Sequence, residues 1–358
     1  MITEREVVEA ALRRHPFRTI EKFLQEVLWR GYWKGWLELR PQVWEDYAAA
    51  LRGLSESSSA AQAGREVAEG RSRSGIMNHF ARELIETGYL HNHARMWWAS
   101  YWIHHCGLRW ELGARFFMEH LLDADAASNT LSWRWVAGRQ TRGKTYLATE
   151  QNITKFCAPE LVEQAGGIGI GGGVAARVGA MDDVVSDEIQ VRPDFPHEIG
   201  VLDEQSCVAV VLHDEDFCLE TSPAAGLRPK VLLHLVPPDE SPVAEPRAHW
   251  LGQARSDAVA RAREHFRCEV RVCRTCDDIM RACLEVNAGQ AVMMEPFVGP
   301  LRDSLQGLPE ALATRDIGLV RLRRKWDSAL QPYAERGFFP FWNKVGRLLA
   351  RSGAEELA

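Results

Sequence analysis

The sequence predicts an all-helical domain followed by a small parallel α/β (Rossmann-like) domain, and three observations predict it. Apolar residues recur at spacings of three and four from Thr3 to about Glu163, the period of amphipathic helices. After Val201 the pattern changes to short β-rich runs separated by helical stretches, the alternation that builds a parallel sheet. Between them, residues 166–195 are rich in glycine and acidic side chains and read as a linker. The expected organisation is a helical domain at 1–165, the linker, and an α/β domain at 196–350. A chain of 358 residues, 46% hydrophobic and 26% charged, has material for two such cores.

The first element opens at Thr3-x-x-Glu6, a capping box before VVEAALRRH, and continues into FLQEVLWRGYW. Residues 55–75, SESSSAAQAGREVAEGRSRSG, are small and polar and read as a surface loop or lid. Three helices follow: IMNHFARELIETG, HNHARMWWASYWIHHCG stopped by Gly107, and ELGARFFMEHLLD. The spacing Gly167-x-Gly169-x-x-Gly172 fits a dinucleotide fingerprint, but no strand precedes it, which favours the linker reading. The expected strands lie in SCVAVVLHD, PKVLLHLVP, CEVRVCRT, QAVMMEPF and IGLVRLRRK, with helices in SDAVARAREHF and DDIMRACLEVN.

The net charge is −6, carried by the residues beyond 165, while the helical part is nearly neutral. A general nucleic-acid binder would be more basic, so any DNA contact is expected to be local. No apolar run of about 18 residues occurs, and the start is a charged amphipathic stretch rather than a secretion signal, so a cytoplasmic protein without membrane contact is expected. Eight cysteines are scattered through apolar surroundings and read as buried thiols. Cys273-x-x-Cys276, with Cys268 and Cys283 nearby, has enough thiols for zinc or an iron–sulfur cluster, but the spacing is irregular and VRVCRT reads as a strand entering a helix.

Tryptophan is the unusual residue. Of thirteen, ten lie in the first 135 residues, more than packing alone calls for, because a buried indole needs a partner for its N–H. Three clusters accompany them: Glu26-x-x-Trp29, one helical turn apart; His91, Asn92, His93, Arg95 and Met96 at a helix start; and DADAASNTLSWRW at 123–135, with Trp110 upstream. A metal site would draw on His91, His93, His104, His105, His120, Asp123 and Asp125, but no spacing makes three of them converge. A flavin or nucleotide pocket accounts for more. Carboxylates accept from a ring N–H or ribose hydroxyls, Arg95 neutralises one of them, and Asn129 addresses a ring nitrogen as its redox state changes. Closely spaced indoles then serve to carry electrons.

Residues 16–157 resemble the FAD-binding domain of the photolyase/cryptochrome superfamily, through FLQEVLWRGYW, TGYLHNHARMWWASYWIH, LRWELGARFFMEHLLDADAASNTLSWRW and YLATEQNITKFC. The resemblance implies FAD as cofactor, with Asn129 facing the flavin N5, Asp123 paired with Arg95 beside the flavin, and Asp125 binding the flavin or its ribose. It implies Trp133 as the electron donor nearest the flavin, Trp110 as the next, and Trp44, or second Trp36, as the third, surface member. Glu26, Trp29, Asn92, Met96 and Trp135 match the lining of the cavity that receives a flipped lesion. His93 stands where dimer-splitting enzymes usually have arginine.

Two departures accompany the match. The Thr-Ser-x-x-Ser stretch that binds the FAD diphosphate is not present ahead of the first matched helix, leaving Arg139, Arg142, Lys144 or the Gly166–Gly173 loop to compensate. The α/β pattern follows the helical domain instead of preceding it, and VRLRRKWDSALQPYAERGFFPFWNKVGRLL is similar to the last strand of the family's α/β domain and the Phe-rich segment leaving it, which suggests permuted domain order. HDEDFCLE replaces the stretch that usually opens that domain, which weakens the expectation of an antenna chromophore.

The function so implied is light-driven electron transfer from reduced FAD to a flipped pyrimidine dimer, a carbon–carbon lyase reaction of DNA repair on dimer-containing DNA. The alternative is a cryptochrome-like blue-light flavoprotein with a signalling or binding role, a protein partner and no repair. A third reading is a structural protein with a vestigial flavin site.

Overall fold

In the computed structural model, which describes residues 2–54, 59–140, 145–170, 188–191, 194–203, 205–238 and 243–352, the N-terminal portion is helical. Its helices are α1 (Glu4–Arg14), α2 (Phe17–Glu38), α3 (Pro41–Arg52), α4 (Ser59–Ala68), α5 (Gly75–Thr87), α6 (Asn92–Ser100), α7 (Trp110–His120), α8 (Ala126–Val136), α9 (Glu150–Phe156) and α10 (Pro159–Gln164). Local chemistry sets their ends. Thr3 and Glu6 form the reciprocal capping box of α1, Ser74 caps α5, and Gly88 ends α5 at φ 70°, a conformation open to glycine. The α6 path continues as a π-helical turn at Tyr101–His105.

The later part holds β1 (Glu198–Ile199), β2 (Val208–Leu212), β3 (Val231–Leu235), α11 (Glu245–Phe266), β4 (Glu269–Cys273), α12 (Cys276–Glu285) and β5 (Gln290–Met294). It continues with α13 (Pro300–Ser304), α14 (Leu308–Ala313), β6 (Gly318–Leu322), α15 (Lys325–Leu330) and α16 (Phe338–Ser352). The five expected strands are all present. β2 to β6 pair in parallel, and the spatial order β1-β6-β5-β2-β3-β4 is doubly wound, with its switch point between β2 and β5. The sheet is mixed rather than wholly parallel, because the short β1 pairs antiparallel on the β6 edge. β2 and β3 are buried along their whole length, and apolar cores fill both faces of the sheet.

The chain divides into two compact units, one of Met1–Pro41, Ile189–Glu240 and Leu251–Ala358, the other of Gln42–Glu188 and Ser241–Trp250. The first therefore takes in α1 and α2, a division that differs from a linear boundary at residue 165. The reason lies in the second half of α2, where Tyr32, Lys34, Gly35, Trp36, Leu37 and Glu38 are all buried. Gly35 lets the backbone approach closely: a β-carbon there would stand 2.9 Å from Ala334 Cβ and Gln331 Cα. Trp29 stacks on Phe338 at 3.7 Å, Tyr32 Oη donates to Arg336 O at 2.8 Å, and Arg40 donates to Glu335 O at 2.7 Å.

In the other unit, two expectations change. Residues 59–68, read as loop or lid, form α4, since an alanine-rich run has strong helix propensity and Gly64 admits the Trp102 ring at 3.2 Å from where a β-carbon would lie. Residues 166–170, read as linker, pack on the start of α5, where Gly167 O accepts from Ile76 N at 3.0 Å and Ile168 O accepts from Ser74 Oγ. Residues 171–187, with Gly172 and Gly173, lie outside the described residues.

Candidate functional site

Helix α8 presents one residue per turn along one side. Asp125 caps its start, its Oδ1 accepting from Ser128 N at 2.9 Å; Asn129 follows one turn on and Trp133 two turns on. Asn129 is buried and donates through Nδ2 to Ala114 O at 2.8 Å on α7. The buried Trp133 ring lies on Gly113 of α7, where a β-carbon would stand 2.2 Å from the indole. Trp133 also meets Phe117 edge-on at 5.1 Å, Trp98 at 6.1 Å and Trp102 at 6.4 Å. Trp135, half-buried, stacks on Tyr146 at 5.6 Å.

Arg95 on α6 reaches the chain just before α8. Its Nη1 and Nη2 donate to the two Asp123 oxygens at 3.1 Å each, while Nε donates to Leu90 O at 2.8 Å. This is the two-point geometry that a guanidinium offers a carboxylate. The Asp123 side chain is 60% exposed, so the pair stands on an open rim, where it adds little stability of its own. Asn92 and His93, beside it, are exposed and Met96 is half-buried. His93 stacks on His91 at 5.6 Å and on Phe156 at 5.4 Å.

A second set of rings extends from α7. Trp110, at its first position, stacks on Tyr47 of α3 at 5.5 Å and 29°, and Tyr47 meets Trp44 at 5.3 Å. Trp110 sits one turn from Gly113 and hence from the helix surface that Trp133 covers. Trp44, expected as a surface ring, is only 7% exposed, because Val43 and Tyr47 on the same helix are also buried and draw that face inward. Trp36 is in the sheet-bearing unit, with the Arg40 guanidinium 4.3 Å over its ring.

The lining expected for a lesion is divided between the units. Glu26, exposed, and Trp29, stacked on Phe338, belong to the sheet-bearing unit; Asn92, His93, Met96 and Trp135 belong to the helical one. Metal-style residues do not converge: among the described residues no three His, Cys, Asp or Glu side chains are placed to hold an ion. His104 and His120 are each bonded to a backbone carbonyl, of Val136 and Phe116, at 3.0 Å, and burial pushes His120 and His105 below the usual imidazole range. All the cysteines are free, and burial raises the thiols of Cys273, to about 11, Cys283, to about 12, and Cys268 and Cys276.

At the carboxyl ends of the sheet strands, the HDED stretch is engaged within its own chain. Asp214 pairs with Arg255, Asp216 takes two contacts from Arg324 at 2.7 and 2.8 Å, and Glu215 accepts from Phe297 N at 2.7 Å. Glu38 of α2 accepts from Val298 N at 2.6 Å and from Arg302 at 2.8 Å in the same region. Among the described residues no helix is long and apolar enough to cross a membrane.

Residues 23–158, which run from α2 through Arg95, Asn129 and Trp133 to the end of α9, match the family described as the FAD binding domain of DNA photolyase. Over this segment the chain is similar to the photolyase/cryptochrome superfamily. It is 32% identical over 122 residues to a deoxyribodipyrimidine photo-lyase of Streptomyces griseus, covering 34% of this chain and 26% of that one. With a deoxyribodipyrimidine photo-lyase of Agrobacterium fabrum the figures are 33% over 123 residues, 33% and 25%, and with a cryptochrome DASH of Idiomarina loihiensis 32% over 134 residues, 37% and 30%. The chain thus spans about a quarter of the length of the curated photo-lyases that it matches. No solved structure matches it significantly.

The superfamily implies FAD, and the residues around α7 and α8 fit a polar ring system. Among the described residues the buried Ser128 Oγ, Thr130 Oγ1 and Trp133 Nε1 lack hydrogen-bond partners, and groups of that kind are costly unless something satisfies them. Asp123 adds an exposed acceptor beside them in sequence. Of the residues expected to hold the diphosphate, Arg139 is half-buried, the Gly166–Ile170 part of the loop packs on α5, and Arg142 and Lys144 lie outside the described residues.

Sequence reasoning missed two participants. Tyr47 was legible as an aromatic three residues after Trp44, and Gly113 as a small residue one turn after Trp110.

Proposed function

We propose that the helical unit holds FAD and works as a light-responsive one-electron device. When bound, FAD supplies a ring that absorbs blue light and exchanges single electrons. Arg95 and Asp123 hold each other in a fixed geometry at the rim, Asp125 fixes the start of α8, and Asn129 is oriented by its bond to Ala114 O. Trp133 is the inner electron donor of the chain, kept in one position by Gly113 and Phe117, and Trp110 is the next ring outward. The carrying observation is the Trp133 ring seated on Gly113 one turn from Trp110.

Trp29 favours the cryptochrome-like alternative over repair. A ring that flanks a flipped base needs a free face, and Trp29 has Phe338 stacked on one side and Trp33 tilted against it at 5.5 Å. Repair of pyrimidine dimers is the second reading, favoured by the names of the photo-lyase relatives and by Asn92 and Met96, which the family resemblance implies as lesion-cavity residues. A protein partner accompanies the first reading and dimer-containing DNA the second.

The test loads purified protein with FAD and follows flavin absorbance under blue light with a thiol reductant present. Wild type bleaches, and Trp133→Phe does so at least about tenfold more slowly. Protein that retains no FAD, or that does not respond to light, overturns the reading. Loss of dimers from irradiated DNA on illumination decides for repair.

A further inference from the structure

We infer that Tyr47 is a working link of the electron path, joining Trp44 to Trp110. The inference rests on the reading that the helical unit is a light-driven electron carrier. Trp44 and Tyr47 are three residues apart on α3, so their rings project from neighbouring turns. Tyr47 lies 5.3 Å from Trp44 on one side and 5.5 Å from Trp110, nearly parallel at 29°, on the other. The three rings are 7%, 4% and 8% exposed, so water is kept from most of the path and only edges of Trp44 and Trp110 touch solvent.

The surroundings of Tyr47 keep its phenol protonated: burial pushes its pKa well up, with Glu111 and Glu119 adding to the shift and Arg115 opposing it. A ring that retains its proton serves as a π bridge instead of a sink. One electron passes from Trp44 to the oxidised ring of Trp110, and Tyr47 ends the step unchanged. Trp44, now one electron short, is restored by a thiol in solution, which gives up one electron and releases its proton to water, becoming a thiyl radical.

Two variants test the role. Tyr47→Phe keeps the bridge, and Tyr47→Leu removes it at similar bulk; near-ultraviolet circular dichroism and melting confirm that both fold. In flash photolysis of the FAD-loaded protein, Tyr47→Phe holds the long-lived indole radical of wild type, and Tyr47→Leu shortens its lifetime at least about tenfold. The second measurement uses FAD-free protein, oxidised from the surface by a photoexcited ruthenium complex with persulfate, with products mapped by peptide mass spectrometry. Wild type and Tyr47→Phe share products between Trp44 and Trp110, whereas in Tyr47→Leu the ratio of products on the two rings shifts, each keeping only what it receives directly. Wild-type behaviour of Tyr47→Leu in both measurements overturns the link while leaving the flavin reading standing. A wild type that takes up no FAD defeats the flavin reading, and the FAD-free mapping still decides whether Tyr47 conducts.

Discussion

Trp133 and Gly113 are in such close contact that a β-carbon on the glycine would stand 2.2 Å from the indole. In an open helix, alanine would be better than glycine by about 1 kcal/mol. Here overpacking opposes it, because Trp133 is also hemmed in by Phe117 and Trp98. Gly113→Ala is expected to lose about 1 to 3 kcal/mol in urea unfolding and to alter the near-ultraviolet circular dichroism of the tryptophans. A more stable protein with an unchanged spectrum would contradict the packing described.

The Arg95–Asp123 pair separates stability from function. Because the carboxylate is mostly exposed, Asp123→Asn should change unfolding free energy by less than about 1 kcal/mol. Under the proposed function the same variant retains less FAD through gel filtration than wild type. Strong destabilisation would mark the pair as structural.

Glu38 presents the opposite case. Its side chain is 4% exposed, holds Val298 N and Arg302, and lies 3.7 Å from Arg323. Removing it leaves Val298 N without its acceptor and takes a carboxylate from Arg302, which keeps Pro296 O, so Glu38→Ala should cost about 1 to 3 kcal/mol. Differential scanning calorimetry reads this as a fall in melting temperature; a shift within error would show that the network contributes nothing.

Asp327 gives a pH dependence. Burial, with the nearby Glu4 charge, pushes its carboxyl up to about 6 from an ordinary value of 3.8. The folded state therefore holds this proton more tightly than the unfolded chain does, and its contribution is full below pH 3.8 and lost as pH rises through about 6. Asp327→Asn, which cannot ionise, should gain about 3 kcal/mol on wild type at pH 8 and little at pH 4. Equal effects at both pH values would rule out the buried carboxyl as the cause.

The thiols of Cys273 and Cys283, raised to about 11 and 12, should resist a disulfide reagent at pH 8 until the protein is unfolded. Rapid labelling of both in native protein would show that the sheet-bearing core opens.

The strands of the sheet were legible in the sequence because each is a run of buried, β-branched or long apolar residues, and a run such as VAVVL leaves few alternatives. The π-helical turn at Tyr101–His105 was read simply as more helix, since periodicity alone does not distinguish a widened turn. α4 was hidden by the serines and glycines around its alanine-rich run, and the packing of Gly64 on the Trp102 ring is not a local signal. For the site, types and spacing disclosed Asp125, Asn129 and Trp133, which lie on one helix. They did not disclose that Trp29 faces Phe338, a contact spanning more than 300 residues that no local pattern encodes.

That long span has a consequence for biosynthesis. Trp29, Tyr32 and Gly35 leave the ribosome early, but the residues that cover them, from Gln331 to Phe338, are made some 300 residues later. At ordinary elongation rates the interval is about 15 to 60 s. Throughout it a tryptophan-rich helix waits without its partner, so the nascent chain offers chaperones an apolar surface that the finished protein conceals.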